Sequence, residues 1–293
     1  MEIRSFDELN HSQRERLAFV EFRLWFLGNI GRPDLVERFG IGPAVATRDL
    51  ACYREAAPSN IVFNDSKKVY ELAPTFKPLF DHDAGRVLSA LSRGFGEGIG
   101  IVTDGYLPCE FPLRLNQPPL QLLAPVTRAI HQQKVLKLTY HSFSSGASRR
   151  EIIPHALVDS GLRWHVRAYD RKSGEFRDLV ITRMEKPVLL DDDEIHDYEQ
   201  PDVDHQWNRV VELHLVPHPD QPRPEIVMRD FGMKGGSLIL NVRAAIAGYV
   251  LQQWQVDCSS DHSLDPTRYR LWLKDAPFVL HGVQNAVLAD GYK

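Results

Sequence analysis

Residues 162–183, LRWHVRAYDRKSGEFRDLVITR, constrain this chain more than any other stretch. Leu162, Trp164, Val166 and Ala168 alternate with Arg163, His165, Arg167 and Tyr169, and a period of two is the mark of a strand with one apolar and one polar face. Asp170, Lys172, Ser173 and Gly174 are turn formers. A second strand, rich in β-branched residues, is expected over 176–184, with Arg177 at its start and Arg183 near its end. The pair reads as a β-hairpin whose polar face concentrates hydrogen-bond donors. Such a face suits phosphate, carboxylate or nucleotide ligands; the plainer alternative is a solvated strand face.

The rest of the composition limits what such a face can mean. The net charge is −4 over 293 residues, so any basic surface must be local. Cys52, Cys109 and Cys258 are far apart and fall in no metal or redox spacing, which suits reduced thiols. The opening MEIRSFDELN has no apolar core of a signal peptide, and no stretch approaches 18 apolar residues. A cytoplasmic protein without membrane spans is expected, and the length allows two or three domains.

The first 80 residues read as a DNA-binding unit. Residues 12–27 form an amphipathic helix with Leu17, Val20, Leu24 and Leu27 at helical spacing, ended by Gly28 and Gly31. A short helix over 33–39 starts at Pro33 and is broken by Gly40. A third begins at Pro43 and runs through PAVATRDLACYREA. Its apolar face is Ala46, Leu50 and Tyr53, and its other side shows Ala44, Thr47, Arg48, Ala51 and Arg54. Two short helices about a tight glycine turn are the helix-turn-helix signal, and the second helix of the pair enters the major groove. Strand-like residues 61–63 and 69–72 flank a turn at Asn64, Asp65 and Ser66, with Lys67 and Lys68 at its tip. That is a wing, placed to lie over a phosphate backbone. The expected DNA contacts are therefore Ala44, Thr47, Arg48, Arg54, Lys67 and Lys68. Residues 1–80 hold eleven Lys and Arg against eleven Asp and Glu, so the unit is not basic overall. The alternative is a three-helix protein-interaction domain.

Residues 81–119 read as a connector: one helix over 81–95, a flexible GEGIG break and an extended proline-punctuated stretch over 106–115; beyond it, residues 119–134 look helical on either side of Pro125. Residues 120–194 then alternate quickly into short strands at 135–140, 150–158, 162–169 and 176–184, which predicts a small barrel or strongly bent antiparallel sheet. Over 205–293 strands at 209–216, 238–243 and 269–273 alternate with helices at 224–231 and 244–254. A last helix or strand–helix pair follows, and the whole gives a small α+β domain. His214, His218 and Asp220 resemble a metal set in type only; strand alternation followed by prolines favours a surface edge. Neither a metal nor a cofactor is expected.

The order LTY, IIPHALV, GLRWHVRAYD, FRDLVITRM resembles the WYL domain, an Sm-like β-barrel. The Trp-Tyr-Leu signature stands here as Trp164-His165-Val166, within a frame of Tyr140, Pro154, Arg163, Tyr169, Arg177 and Arg183. The variant RWHVRAYD…FRDLVITR resembles the BrxR/CapW-type repressors of phage-defence operons. The resemblance covers nearly the whole chain. It implies a winged helix-turn-helix (1–80), a helical connector (81–119), a WYL ligand-sensing domain (120–194) and a C-terminal extension (205–293) in an α+β multidomain protein. It implies a homodimeric repressor bound to double-stranded operator DNA and sensing an anionic ligand, such as a nucleotide or single-stranded nucleic acid. It places Tyr140, Ser142, His155, His165, Arg167, Arg177 and Arg183 around the ligand pocket. Read from the residues alone, Trp164 and Tyr140 also suit barrel core. A nucleic-acid-processing enzyme using His165 and an RNA-binding Sm-like module are the rival functions. Against the enzyme, no paired carboxylates and no Ser or Cys beside His stand out.

Overall fold

The computed structural model describes residues 9–94, 105–111 and 117–293. The chain divides into two compact units, Met1–Phe111 and Pro112–Lys293.

In the first unit, helix α1 (His11–Leu27) is capped by the Asn10 side chain and ends at Gly28, whose φ of 83° is the left-handed turn that glycine adopts without strain. Leu17, Phe19, Val20, Phe22 and Leu24 are all buried, so apolar residues surround most of the helix and it forms the centre of the core. Helices α2 (Arg32–Phe39) and α3 (Pro43–Ala56) follow, joined through Gly40 at φ 62°. Strands β2 (Ile61–Asn64) and β3 (Val69–Leu72) make the expected wing. A short strand not foreseen from the sequence, β1 (Asn29–Ile30), pairs with β3 to complete a three-stranded sheet in the order β1-β3-β2. Two residues carry too little periodicity to be read. Helix α4 (Ala84–Arg93) is shorter than the expected helix and is no mere connector: Ala90 is buried in the winged-helix core, with Val87 and Leu91 against it. The GEGIG segment and residues 112–115 lie outside the described residues.

The second unit opens with α5 (Leu120–Gln132), a continuous helix with Pro125 inside it. The expectation of two helical pieces fails because the missing N–H costs one helix bond. The buried Val126 and Ala129, with Leu122, Leu123 and Ile130, hold the helix on the sheet. Strands β4 (Val135–Ser142), β5 (Gly146–Asp159), β6 (Trp164–Asp170), β7 (Glu175–Val180) and β8 (Met184–Leu190) form an antiparallel sheet in the order β7-β6-β5-β4-β8. The expected strand over 176–184 ends at Val180, a 3-10 turn follows at Ile181–Arg183, and β8 beyond it is a fifth strand not foreseen from the sequence. That turn joins the two edge strands of the sheet, so the sheet must curl until its edges approach. Leu136, Leu138, Tyr140, Ile152, Val166, Ala168, Leu179, Ile181 and Met184 fill the concave side.

The C-terminal part carries α6 (His205–Asn208), β9 (Val210–Pro217), α7 (Pro224–Asp230), β10 (Leu238–Arg243), α8 (Ala244–Gln253), β11 (Val256–Asp257), β12 (Leu271–Leu273) and α9 (Ala276–Val279). The sheet order is β10-β9-β12-β11, the last pair parallel. In place of the expected last helix or strand–helix pair stand the short α9 and a 3-10 turn at Ala286–Leu288, with Gly282 between them at φ 70°. His218 is buried rather than at a surface edge: Nε2 lies 3.1 Å from Asp257 Oδ2, and that carboxylate also accepts from Ser259 N, Ser259 Oγ and Leu264 N. Among the described residues no group of His, Cys, Asp or Glu could hold a metal ion, and no helix is long and apolar enough to cross a membrane.

Candidate functional site

The faces of α3 separate cleanly. Ala46, Leu50 and Tyr53 are buried, while Ala44, Thr47, Arg48 and Arg54 are exposed. Asp49 is also buried, and Arg16 Nε donates to it at 2.6 Å, which pins α3 to α1. The Thr47 hydroxyl donates to the Pro43 carbonyl at 2.9 Å, one turn back on the helix. On the inner side, Tyr53 Oη donates to Glu21 Oε2 at 2.8 Å. Glu21 is fully buried and also accepts from Leu79 N and Phe80 N and meets His82 Nε2 at 3.0 Å. Burial raises the Tyr53 hydroxyl well above its ordinary pKa, so it stays a donor. In the wing, Asn64 Oδ1 accepts from Ser66 N and Lys67 N and closes the turn. Lys67 meets Glu71 at 3.0 Å and Lys68 meets Asp65 at 3.5 Å, both at the exposed tip.

The basic strand behaves differently. Arg167 is 1% exposed. Its Nε and Nη2 donate to Asp204 at 2.8 and 2.9 Å, and its Nη1 donates to Asp178 at 3.2 Å and to Gln284 at 3.1 Å. Burial opposes the guanidinium charge, but the two carboxylates outweigh it and raise its pKa. Burial likewise pushes the Asp204 carboxyl upward, yet His155 and Arg167 hold it well below the usual carboxylate range. Asp178 also accepts from Tyr249 Oη at 3.0 Å. The outer face of β6, read from the sequence as a donor surface for a ligand, is therefore covered by the segment after β8 and by α8, and its arginine is filled by the protein's own carboxylates. Neither the open ligand face nor the solvated face describes it.

The seven expected ligand residues fall into separate groups. His155, His165 and Arg167 belong to this buried contact. The His165 ring lies 5.2 Å from that of Tyr249, burial lowers its pKa, and its buried Nδ1 has no hydrogen-bond partner among the described residues. Tyr140 is core, its hydroxyl accepting from Val180 N at 3.2 Å. Arg177 is exposed and paired with Glu175. Ser142 and Arg183 sit by the loop between β4 and β5. Ser142 Oγ is 3.0 Å from Ser144 Oγ there, and the Arg183 guanidinium lies over the ring of Phe143 at 4.2 Å. Sequence reasoning missed Asp178, Asp204, Tyr249 and Phe143. Only Asp178 had a local signal, since a hairpin about the 170–174 turn puts it opposite Arg167.

A winged helix-turn-helix followed by a curled five-stranded sheet on a helix and a C-terminal α+β part is the build of a WYL-domain transcriptional regulator. Residues 12–93 match the BrxR transcriptional regulator winged helix-turn-helix domain, 121–189 the WYL domain, and 210–279 the BrxR transcriptional regulator C-terminal dimerization domain. The chain is 31% identical over 252 residues to the DNA-binding transcriptional repressor CapW of Pseudomonas aeruginosa, covering 82% of each. It is 30% identical over 274 residues to CapW of Stenotrophomonas maltophilia (88% of each), and 29% identical over 274 to that of Escherichia coli strain KTE188 (90% of this chain, 89% of that one). The chain belongs to the BrxR/CapW family of transcriptional regulators, which are DNA-binding proteins and not enzymes.

Proposed function

We propose that this chain is a homodimeric transcriptional repressor whose α3 reads operator DNA and whose WYL domain senses an anionic ligand. The observation that carries the reading is the split of α3: Ala46, Leu50 and Tyr53 inward, Ala44, Thr47, Arg48 and Arg54 outward, with the wing lysines beside a reading helix. Small residues at the helix start let it approach a groove, and Arg48 supplies a bidentate donor for a base edge. Lys67 and Lys68 exchange their carboxylate partners for backbone phosphates. The match of 210–279 to a dimerization domain supports a homodimer on two half-sites. Ser142, Arg177 and Arg183, the accessible members of the expected ligand set, support sensing of a nucleotide or single-stranded nucleic acid, and the family supports control of a phage-defence operon. A ligand acts by binding one arrangement of the dimer better than another. Genome-wide mapping of bound DNA tests the reading and names the operon; a binding profile no different from that of an Arg48→Ala, Lys67→Ala, Lys68→Ala variant would reject it.

A further inference from the structure

A cavity of about 180 Å³ opens in the winged-helix unit between α1, the end of α2 and α4. Ala18, Phe19, Phe22, Phe39, Val87 and Ala90 give it an apolar wall, and three of the six are aromatic. The charged side chains around it are two cations, Arg38 and Arg86, and three carboxylates, Glu15, Asp81 and Asp83, so neither sign dominates. His82 completes the lining. Its side chain is 12% exposed, and its Nε2 lies 3.0 Å from Glu21 Oε1. That carboxylate is fully buried and also accepts from Tyr53 Oη, Leu79 N and Phe80 N. A carboxylate with only donors around it leaves one choice of tautomer: Nε2 carries the hydrogen, and Nδ1 of the uncharged ring is a bare lone pair. No group among the described residues donates to that Nδ1. The ring is held edge-on against Trp25 and Phe26, at 5.5 and 5.7 Å.

We propose that this cavity binds a small uncharged aromatic molecule carrying one O–H or N–H donor, in the size range of phenol, and that the donor meets His82 Nδ1. The site belongs to the winged-helix unit and is independent of the sensing assigned above to the WYL domain. Volume sets the size, since an apolar cavity of about 150 Å³ takes benzene. The three lining rings favour a flat partner, because offset and edge-on ring pairs gain energy beyond the area they bury. The mixed charges select against an ion, which would meet a repelling group beside each attracting one and lose its hydration on the apolar wall. The lone pair selects a donor, since a ligand without one leaves Nδ1 facing an apolar or accepting atom. Glu21 meets both His82 and Tyr53, so the occupant sits two hydrogen bonds away from α3.

The test is isothermal titration calorimetry on the full-length chain with phenol and with fluorobenzene, which has the same outline but fluorine in place of the O–H. Phenol should bind with a Kd of about 1 mM or tighter. Fluorobenzene should bind about fivefold more weakly, although it is the more apolar of the two. Ala18→Phe should abolish phenol binding by filling the cavity from α1. Val87→Phe should do the same from α4, so a variant that fails to fold leaves the other to report, and unfolding midpoints show which are folded. The comparison of the two probes on the wild type needs no variant at all. Wild type that takes up no phenol overturns the site. Phenol binding that a folded Ala18→Phe or Val87→Phe leaves intact overturns its place. Fluorobenzene binding as tightly as phenol overturns the role of His82 Nδ1 and with it the class of ligand.

Discussion

The two basic features of this chain, the outer face of α3 and the outer face of β6, use arginine in opposite ways. Arg48 stands exposed on α3, whereas Arg167 on β6 is 1% exposed and bound by two carboxylates. A guanidinium kept in water loses nothing until DNA arrives, and its exposed neighbours tolerate change. A guanidinium taken out of water must be matched by charge in place, and Asp204 and Asp178 match this one. Alternation in a strand reports that two faces differ; it does not report whether solvent, a ligand or another part of the chain lies on the polar one.

The largest effect should follow from breaking the buried side of this contrast. Arg167→Ala leaves Asp204 and Asp178 without their shared cation and should lower unfolding stability by about 3–5 kcal/mol. Denaturant unfolding measures it, and a variant as stable as wild type would mean the two arginines do not differ in kind. On the exposed side, Arg48→Ala should leave unfolding unchanged and weaken operator binding by about 1–3 kcal/mol in a mobility-shift titration against operator and scrambled DNA. Equal operator affinity would remove α3 from base reading.

Acid sharpens the comparison. Burial holds His165 below its ordinary value of 6.5. A group whose folded pKa is depressed gives its stability in full above the unfolded value and loses it as pH falls from there toward the folded one, because the unfolded chain then binds the extra proton. Thermal stability should therefore decline as pH drops below about 6.5, and His165→Gln should flatten that decline. Asp204 shares the sign at lower pH, below its ordinary 3.8. Identical pH curves for wild type and His165→Gln would place the acid response elsewhere. The smallest change belongs to the wing. Lys67→Ala with Lys68→Ala should weaken binding to all duplexes alike and reduce the log–log salt slope by up to about 2. An unchanged slope would mean the wing does not touch phosphate.

The winged helix was legible because each of its elements shows one face to a core and one to water: Ala46, Leu50 and Tyr53 could be read inward from spacing alone. Most strands of the second unit were legible for the same reason; β8 and the two-residue β11 were not, and the 3-10 turn at Ile181–Arg183 was read as strand because apolar Ile181 continues the pattern. The candidate sensor was much less so. Asp204 lies 37 positions from Arg167, Tyr249 belongs to a helix 71 positions beyond Asp178, and no local pattern announces either. Phe143 was hidden for the converse reason, since an exposed aromatic in a loop follows no period.

Glu21 has a consequence for how this domain can change over generations. One buried carboxylate serves Tyr53 on α3 together with Leu79, Phe80 and His82 on the chain leaving the wing. Removing it strands several donors at once, each at a cost of about 1–3 kcal/mol. Drift at position 21 alone is therefore closed off, and lineages that replace it must replace Tyr53 and reshape the 79–82 segment as well. The positions proposed to read bases, Thr47 and Arg48, carry no such debt to their neighbours. Operator preference is free to diversify residue by residue, while the frame that aims the helix is inherited as a block.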